Sequence, residues 1–410
     1  MVKINPDRLL SDLRTLRTFG TYKTGVHRPT YSDIDMQSRR WLVERMTDAG
    51  LTATIDGIGN VIGRSPAPGP KLLLGSHVET QPHGGWLDGA MGVIFAIEMA
   101  RAVGEDPALQ DCGVDAAAWA DEEGHYMSFI GSRSFIGDVT EAEIDGVESK
   151  HDGTPLRDAL ASAGLAGLPR AVLEADRYLG FLEAHIEQGP TLESMAQKIG
   201  IVTSIVGTWQ YEIIAEGIQN HAGTTAMSLR RDAGRALIKL AHAIDQHFPE
   251  IAAERSVWTV GDLRLEPGAP AIVPGRARML FQFRDADPRQ LARFAAAFDD
   301  LVAAVAADDP CSITAKQLSA STPSLMHLGF QDALSAAAEQ HVPGLHQRMP
   351  SGAGHDAQIL ANVMPAGMMF IPSIGGISHH WSEDSDDADI VIGGQVLATA
   401  VGDILAKGRA

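Results

Sequence analysis

The sequence predicts an α/β fold in two parts: a discontinuous main domain, residues 1–207 with 321–410, and a smaller α+β domain, 208–320, inserted within it. Three observations carry this. Short apolar runs of strand length alternate with segments of helical period on both sides of the insert. Polar residues gather directly after those runs, where the C-terminal ends of strands in open α/β sheets collect ligands. Between 208 and 320 the pattern changes to longer alternating strands and two amphipathic helices. A length of 410 residues also exceeds what one hydrophobic core usually supports.

In chain order, residues 7–18 and 33–50 have the period of amphipathic helices; in the second, Leu42, Met46 and Ala49 share a face with Trp41 beside them, and Gly50 ends it. Residues 51–55 and 60–63 follow as short strands. A Pro/Gly turn from Ser65 to Pro70 precedes the apolar run from Lys71, which suits a buried strand. Residues 91–103 form a helix, whose apolar run from Met91 to Ile97 is interrupted at Glu98, and 114–119 another buried strand. In the insert, strands are expected over 209–216, 256–262 and 276–284, and helices over 232–247 and 288–306. In 276–284 a period of two puts Ala277, Met279, Phe281 and Phe283 on one face, and Arg278, Gln282 and Arg284 on the other. A helix over 331–340 and a strand over 365–371 resume the first pattern.

The formal charge of −19 argues against nucleic acid or an anionic membrane as partner, since both select basic surfaces. Two cysteines, Cys112 and Cys311, give no disulfide framework and fit a reducing compartment. The first residues lack the apolar core of a signal peptide, and no run reaches roughly 18 uninterrupted apolar residues. The expectation is a soluble, cytoplasmic protein.

Five places put metal-competent side chains in strand-end or loop context: Gly75-Ser-His77-Val-Glu79-Thr-Gln81, Gly85-Trp-Leu-Asp88-Gly, Asp121-Glu122-Glu123-Gly, Glu183-Ala-His185-Ile-Glu187-Gln188-Gly and Gly376-Ile-Ser-His379-His380. Histidine nitrogens with carboxylate oxygens suit zinc or a similar first-row ion. Two metals close together need a shared anionic bridge, which an aspartate on a glycine-flanked turn, such as Asp88, can supply. Any one histidine is more often structural; the set is harder to dismiss.

These segments, with Gly57-Ile-Gly-Asn-Val-Ile-Gly, His185-Ile-Glu-Gln-Gly-Pro, Asn220-His-Ala-Gly-Thr-Thr, Arg231-Asp-Ala, Val273-Pro-Gly and Ser351-Gly-Ala-Gly-His-Asp-Ala, make the whole chain resemble the N-carbamoyl-L-amino-acid hydrolase, β-ureidopropionase and allantoate amidohydrolase group, within the aminoacylase/carboxypeptidase class of metallohydrolases. The resemblance implies a mixed-sheet, di-metal peptidase-like catalytic domain and a ferredoxin-like insert that serves as dimerisation domain and lid. It implies two divalent metal ions per subunit, zinc first, with manganese, cobalt or nickel as alternatives. His77 and His185 would be terminal ligands, one to each metal; Asp88 would bridge; Glu123 and His379 would complete the sites. Glu122 would be the general base. His221 would donate to the oxyanion in the neighbouring subunit of a homodimer, and Arg284 would meet the carboxylate of a small substrate. Asn220, Gln81 and Gln188 are candidate partners of the ureido group. His355 would support the site from behind, its loop offering Ser351, Gly352 and Ala353 to the substrate. His380 is read as solvent-facing or supporting.

The pattern departs from the family at several positions. Glu79 replaces the aspartate that orients the ligand histidine, so that hydrogen bond must be made differently. Ala271 replaces an asparagine, Trp86 a basic residue and Trp381 a proline, and the loop after Glu123 is shorter. The two indoles and the lost amide predict a flatter, more apolar pocket. Besides carbamoyl or ureido hydrolysis, an aminoacylase- or dipeptidase-like activity on the same metals, or a silent binding protein, remain open at this point.

Overall fold

The computed structural model describes residues 2–408. The chain forms two compact units, Met1–Thr203 with Leu325–Ala410, and Ser204–Ser324, so the insert is slightly wider than 208–320.

The first unit is built on a mixed sheet, nine-stranded among the described residues. At its centre four strands run parallel, in the order Ala366–Ile371, Phe181–Ile186, Lys71–His77 and Gly113–Trp119. Val61–Arg64 and Thr52–Ile55 extend one side antiparallel, and Ile199–Ile205 joins the other antiparallel. Every residue of Lys71–His77, Gly113–Trp119, Phe181–Ile186 and Ala366–Ile371 is buried, as expected for strands covered on both faces. Helix Ala90–Glu105 lies on this sheet, buried along most of its length. Its interruption at Glu98 is resolved by pairing: the buried carboxylate accepts from Arg8 Nε at 2.7 Å and from the amide of Asn5 at 2.7 Å. A buried charge persists only when so satisfied.

The last helix, Asp387–Lys407, has no counterpart among the expected elements. It is long and apolar enough to cross a membrane, but 67% of its most apolar window is buried. That is the position of a core helix, and Val396, Leu397, Ala400 and Val401 join the main core.

The second unit has the order β-α-β-β-α-β of a ferredoxin-like motif. Its sheet runs Val257–Glu266, Arg276–Asp285, Gly207–Glu216, Ser312–Ala320, all antiparallel. Helices Ala233–Ile251 and Pro288–Asp308 start on Asp232 and Asp287, whose side chains accept from the amides of Arg235 and Arg289, as N-caps do. Burial alternates along Arg276–Asp285. Ala277, Met279, Phe281 and Phe283 pack with Phe248, Phe294 and Phe298, and Arg278, Gln282 and Arg284 take the other face.

Candidate metal centre

The five ligand candidates come together at the C-terminal ends of the parallel strands. His77 ends Lys71–His77, and His185 lies one residue from the end of Phe181–Ile186. Leu73 pairs with Phe181 and Leu74 with Leu182. Continued along both strands, that register sets His77 beside His185, and their rings lie 6.1 Å apart. Asp88 sits on the turn before helix Ala90–Glu105, where Gly89 has φ +63°. A side chain at Gly89 would run into the His77 ring, so the turn admits only glycine. Glu122 and Glu123 follow Gly113–Trp119, and His379 lies in the loop after Ala366–Ile371.

Asp88 stands between two groups. Its Oδ1 is 3.2 Å from His185 Nε2 and 3.7 Å from His77 Nε2; its Oδ2 is 3.3 Å from His379 Nε2. His379 Nε2 is in turn 3.7 Å from Glu123 Oε2. Two triplets result, His77–Asp88–His185 and Asp88–Glu123–His379, each with ligand atoms within 4.8 Å of one another. This corrects the expected partition: His77 and His185 share one triplet instead of serving one metal each, because register makes them neighbours on one sheet face.

The donor set fits divalent cations. His77 Nδ1 lies 3.0 Å from the Glu79 carbonyl and His185 Nδ1 2.9 Å from the Ile186 carbonyl. A carbonyl only accepts, so each Nδ1 carries the proton and each Nε2 faces Asp88 as a potential ligand. The charges point the same way. Burial alone would lower the His77 imidazole, yet the carboxylates of Glu122, Asp88 and Glu79 hold it well above its ordinary value. Burial would raise Asp88, yet His185, His379 and His77 hold it well below. Glu122 is pushed well up by burial, against the pull of His77 and with Glu123, Asp356 and Asp88 adding to the rise. Crowded carboxylates without bound cations draw protons onto neighbouring nitrogens; divalent ions would compete for the same atoms. The Glu122 carboxyl stands 3.6 Å from His77 Nε2.

The glutamines expected at the substrate lie against the carboxylates of the ligand candidates. Gln81 donates from Nε2 to Glu123 Oε2 at 2.8 Å and from its amide to Oε1 at 3.2 Å. Gln188 Nε2 donates to Asp88 Oδ2 at 3.1 Å, and it lies 3.1 Å from Ser378 Oγ. Ser351 is 1% exposed, and its hydroxyl donates to the Ala353 carbonyl, so it accepts from His355 Nε2–H at 2.8 Å. Spent within its loop, it is not open to a substrate, which corrects that expectation; Gly352 is exposed and Ala353 half-buried. His355 packs edge-on against His185, ring centroids 4.6 Å apart, and burial holds it neutral.

In the second unit, His221 accepts at Nδ1 from the amides of Gly223 and Thr224, which leaves its Nε2–H as the donor of an exposed ring. Asn220 Oδ1 accepts from the His221 amide. Arg284 is half-buried beside Gln282. His380 is exposed and paired with Ser382.

The expected apolar pocket loses one support. Trp86 is a core residue, 5% exposed, with its indole N–H on Asp384 Oδ1 at 3.1 Å and Arg17 stacked on its ring. Trp381 is half-buried; Lys23 stands 4.1 Å over its ring, and its carbonyl accepts from Thr24 Oγ1.

Glu383 escaped the sequence reading. Buried in the centre, it accepts from the amides of Leu87 and Asp88 at Oε1 and from Ser378 Oγ at Oε2, 2.7 Å. It ties the Asp88 turn to the His379 loop. Gly85 is the counterpart, since a Cβ there would overlap the Glu383 carboxylate. The available signal was an acid a few residues past the Ser-His step. Three residues of the centre or directly beside it, Asp121, Gln188 and His379, adopt left-handed φ without being glycine, the kind of strain that concentrates at functional sites.

Residues 73–403 match the family described as Peptidase family M20/M25/M40. The chain is 33% identical over 402 residues to the N-carbamoyl-L-amino-acid amidohydrolase of Paenarthrobacter aurescens, covering 96% of this chain and 97% of that protein. It is 32% identical over 394 residues to the allantoate amidohydrolase of Escherichia coli (strain K12), covering 93% and 94%. A crystal structure of an amidase of the hydantoinase/carbamoylase family from Burkholderia phymatum superposes with a TM-score of 0.91 at 46% identity, each chain covered in full (100%). The fold, the donors gathered at its strand ends and these matches lead to one conclusion: the chain belongs to the peptidase family M20/M25/M40, among its carbamoylase and ureido-acid amidohydrolase relatives.

Proposed function

We propose that this protein is a metal-dependent amidohydrolase that cleaves the carbamoyl or ureido C–N bond of a small carboxylate-bearing substrate, of the N-carbamoyl amino acid type. One observation carries the reading: a single carboxylate, Asp88, is shared by two triplets of nitrogen and oxygen donors, with the Glu122 carboxyl beside them.

In this reading His77, His185 and Asp88 hold one divalent cation, and Asp88, Glu123 and His379 the other. Zinc suits imidazole and carboxylate ligands best, and manganese, cobalt and nickel are compatible with them. Bound there, the cations would supply Lewis acidity to the ureido carbonyl and ease deprotonation of water. Glu122 takes a proton from the attacking water and returns it to the departing nitrogen, which therefore leaves as an amine. His221, with its proton on Nε2, donates to the developing oxyanion. By the family resemblance it serves the site of a neighbouring subunit, which makes the working form a homodimer, in the cytoplasm. Arg284 offers a two-pronged donor to the substrate carboxylate. The products are the free amino acid and carbamate, which decomposes to carbon dioxide and ammonia.

A substrate panel tests this. Metal-loaded enzyme should release ammonia from N-carbamoyl or ureido acids, lose that activity on chelation, and regain it with zinc or manganese. Turnover of N-acyl amino acids, with N-carbamoyl and ureido acids untouched, would transfer the protein to the aminoacylase type.

A further inference from the structure

Glu79 follows the ligand His77 by two residues, where it would be expected to orient that imidazole. It does not do so. His77 Nδ1 donates to the Glu79 backbone carbonyl, a group any residue supplies, and stands 3.7 Å from the nearest side-chain oxygen, too far for a hydrogen bond. The Glu79 carboxylate is engaged elsewhere. Oε2 accepts from Arg39 Nη2 at 2.7 Å, and Oε1 accepts from the backbone amide of Glu122 at 2.7 Å.

Arg39 is itself buried and held on several sides. It lies on helix Asp33–Asp48 with no exposed side-chain surface. Its Nε donates to Asp35 at 2.9 Å, and its Nη1 to the carbonyls of Gly59 and Trp119. Asp35 also accepts from the Tyr31 amide at 2.9 Å. A buried guanidinium so surrounded cannot re-aim cheaply, since freeing either partner would leave an uncompensated charge inside the protein. The Glu79 carboxylate is thus fixed at one end and grips the Glu122 amide at the other. That amide follows Asp121, a residue at φ +54° whose own carboxylate accepts from the amides of His125, Tyr126 and Met127, so the Glu79 contact fixes the Glu122 end of a turn that Asp121 holds at the other.

We infer that Asp35, Arg39 and Glu79 form a buried strut whose task is to position Glu122, and that Glu79 is a positioning residue for the proton carrier and not for the metal ligand beside it. The inference rests on the reading of Glu122 as the group that moves the proton. An aspartate at 79 is one methylene too short to reach both Arg39 and the Glu122 amide, while the His77 contact, made by the main chain, survives.

The test compares Glu79→Asp, Arg39→Lys and Glu122→Gln in the metal-loaded protein, reading kcat, KM, metal stoichiometry and thermal midpoint for each. Displacement of a catalytic group by about an ångström costs up to about 100-fold. Glu79→Asp should therefore lower kcat about 10- to 100-fold with KM and metal content unchanged. Arg39→Lys, which keeps the charge but loses the fork, should follow it with a lower thermal midpoint. Wild-type kcat in a folded Glu79→Asp variant, or a loss of kcat that tracks loss of metal, overturns the strut. Glu122→Gln keeps the two failures apart: wild-type turnover there removes the reading of Glu122 itself, whereas an inactive Glu122→Gln beside a fully active Glu79→Asp removes only the strut.

Discussion

The two triplets share Asp88 but are built from different material. His77 and His185 stand on adjacent strands in the floor of the unit, 2% and 1% exposed, each with Nδ1 turned to a backbone carbonyl. His379 stands on a loop in a left-handed conformation, its side chain half exposed, and Glu123 is steadied by a glutamine amide. One triplet inherits its geometry from the sheet, the other from side chains that bind loops together. The lesson concerns affinity. A wholly desolvated triplet should hold an ion longer than one in which a single donor, His379, stands on a loop open to water while Asp88 and Glu123 are buried. The centre should therefore load and unload in two steps, with the triplet of His379, the more exposed one, exchanging first.

The largest break in this contrast is Asp88→Ala, which removes the ligand common to both triplets. It should abolish binding of both ions and lower kcat/KM by about 10⁴-fold or more, as read by metal analysis and ammonia release. Next come the single-triplet variants. His185→Ala should empty the buried triplet and lower the thermal midpoint, because an ion present at about 100 times its Kd adds about 2.7 kcal/mol to stability. His379→Ala should empty the exposed triplet with a smaller change in midpoint; equal changes would erase the distinction. Smaller still, Glu383→Ala should weaken metal binding about 10- to 100-fold, as changes to groups that orient ligands do. It should do so for both triplets, since Glu383 ties the Asp88 turn to the His379 loop. The smallest effect belongs to Lys23→Ala. Loss of its contact with Trp381, worth about 0.5–1 kcal/mol, should speed exchange at the exposed triplet a few-fold and leave the buried one alone. A change at the buried triplet in a chelator titration would refute the division.

The sequence disclosed the donors because their chemistry and their turns are local: histidine and carboxylate beside glycine, directly after apolar runs. It did not disclose how they divide, because that depends on register between strands more than a hundred residues apart, which places His77 beside His185. The buried polar supports were half visible. Asp35, Arg39, Leu42 and Met46 fall on one buried helical face, so a charged pair at i,i+4 spacing within an apolar stripe was there to be read. Trp86 belongs to the core where the sequence suggests pocket lining, because composition cannot tell which side of a turn an indole occupies. The closing helix Asp387–Lys407 is not legible in the sequence: two acids near its start and a Gly-Gly pair inside it obscure a segment buried without interruption over 396–401.

The first unit keeps its sheet continuous across the insert. The main sheet breaks off after Ile199–Ile205 and resumes at Ser324–Leu325, strands that are neighbours in it, with the Met326 amide on the Thr203 carbonyl at 3.0 Å. Departure and return therefore occur at one spot, and a reverse turn of about two to five residues could join them. Cutting the chain there and closing it with such a turn should leave the first unit able to fold by itself, with His77, Asp88, Glu123, His185 and His379 still gathered at the strand ends but without His221 and Arg284.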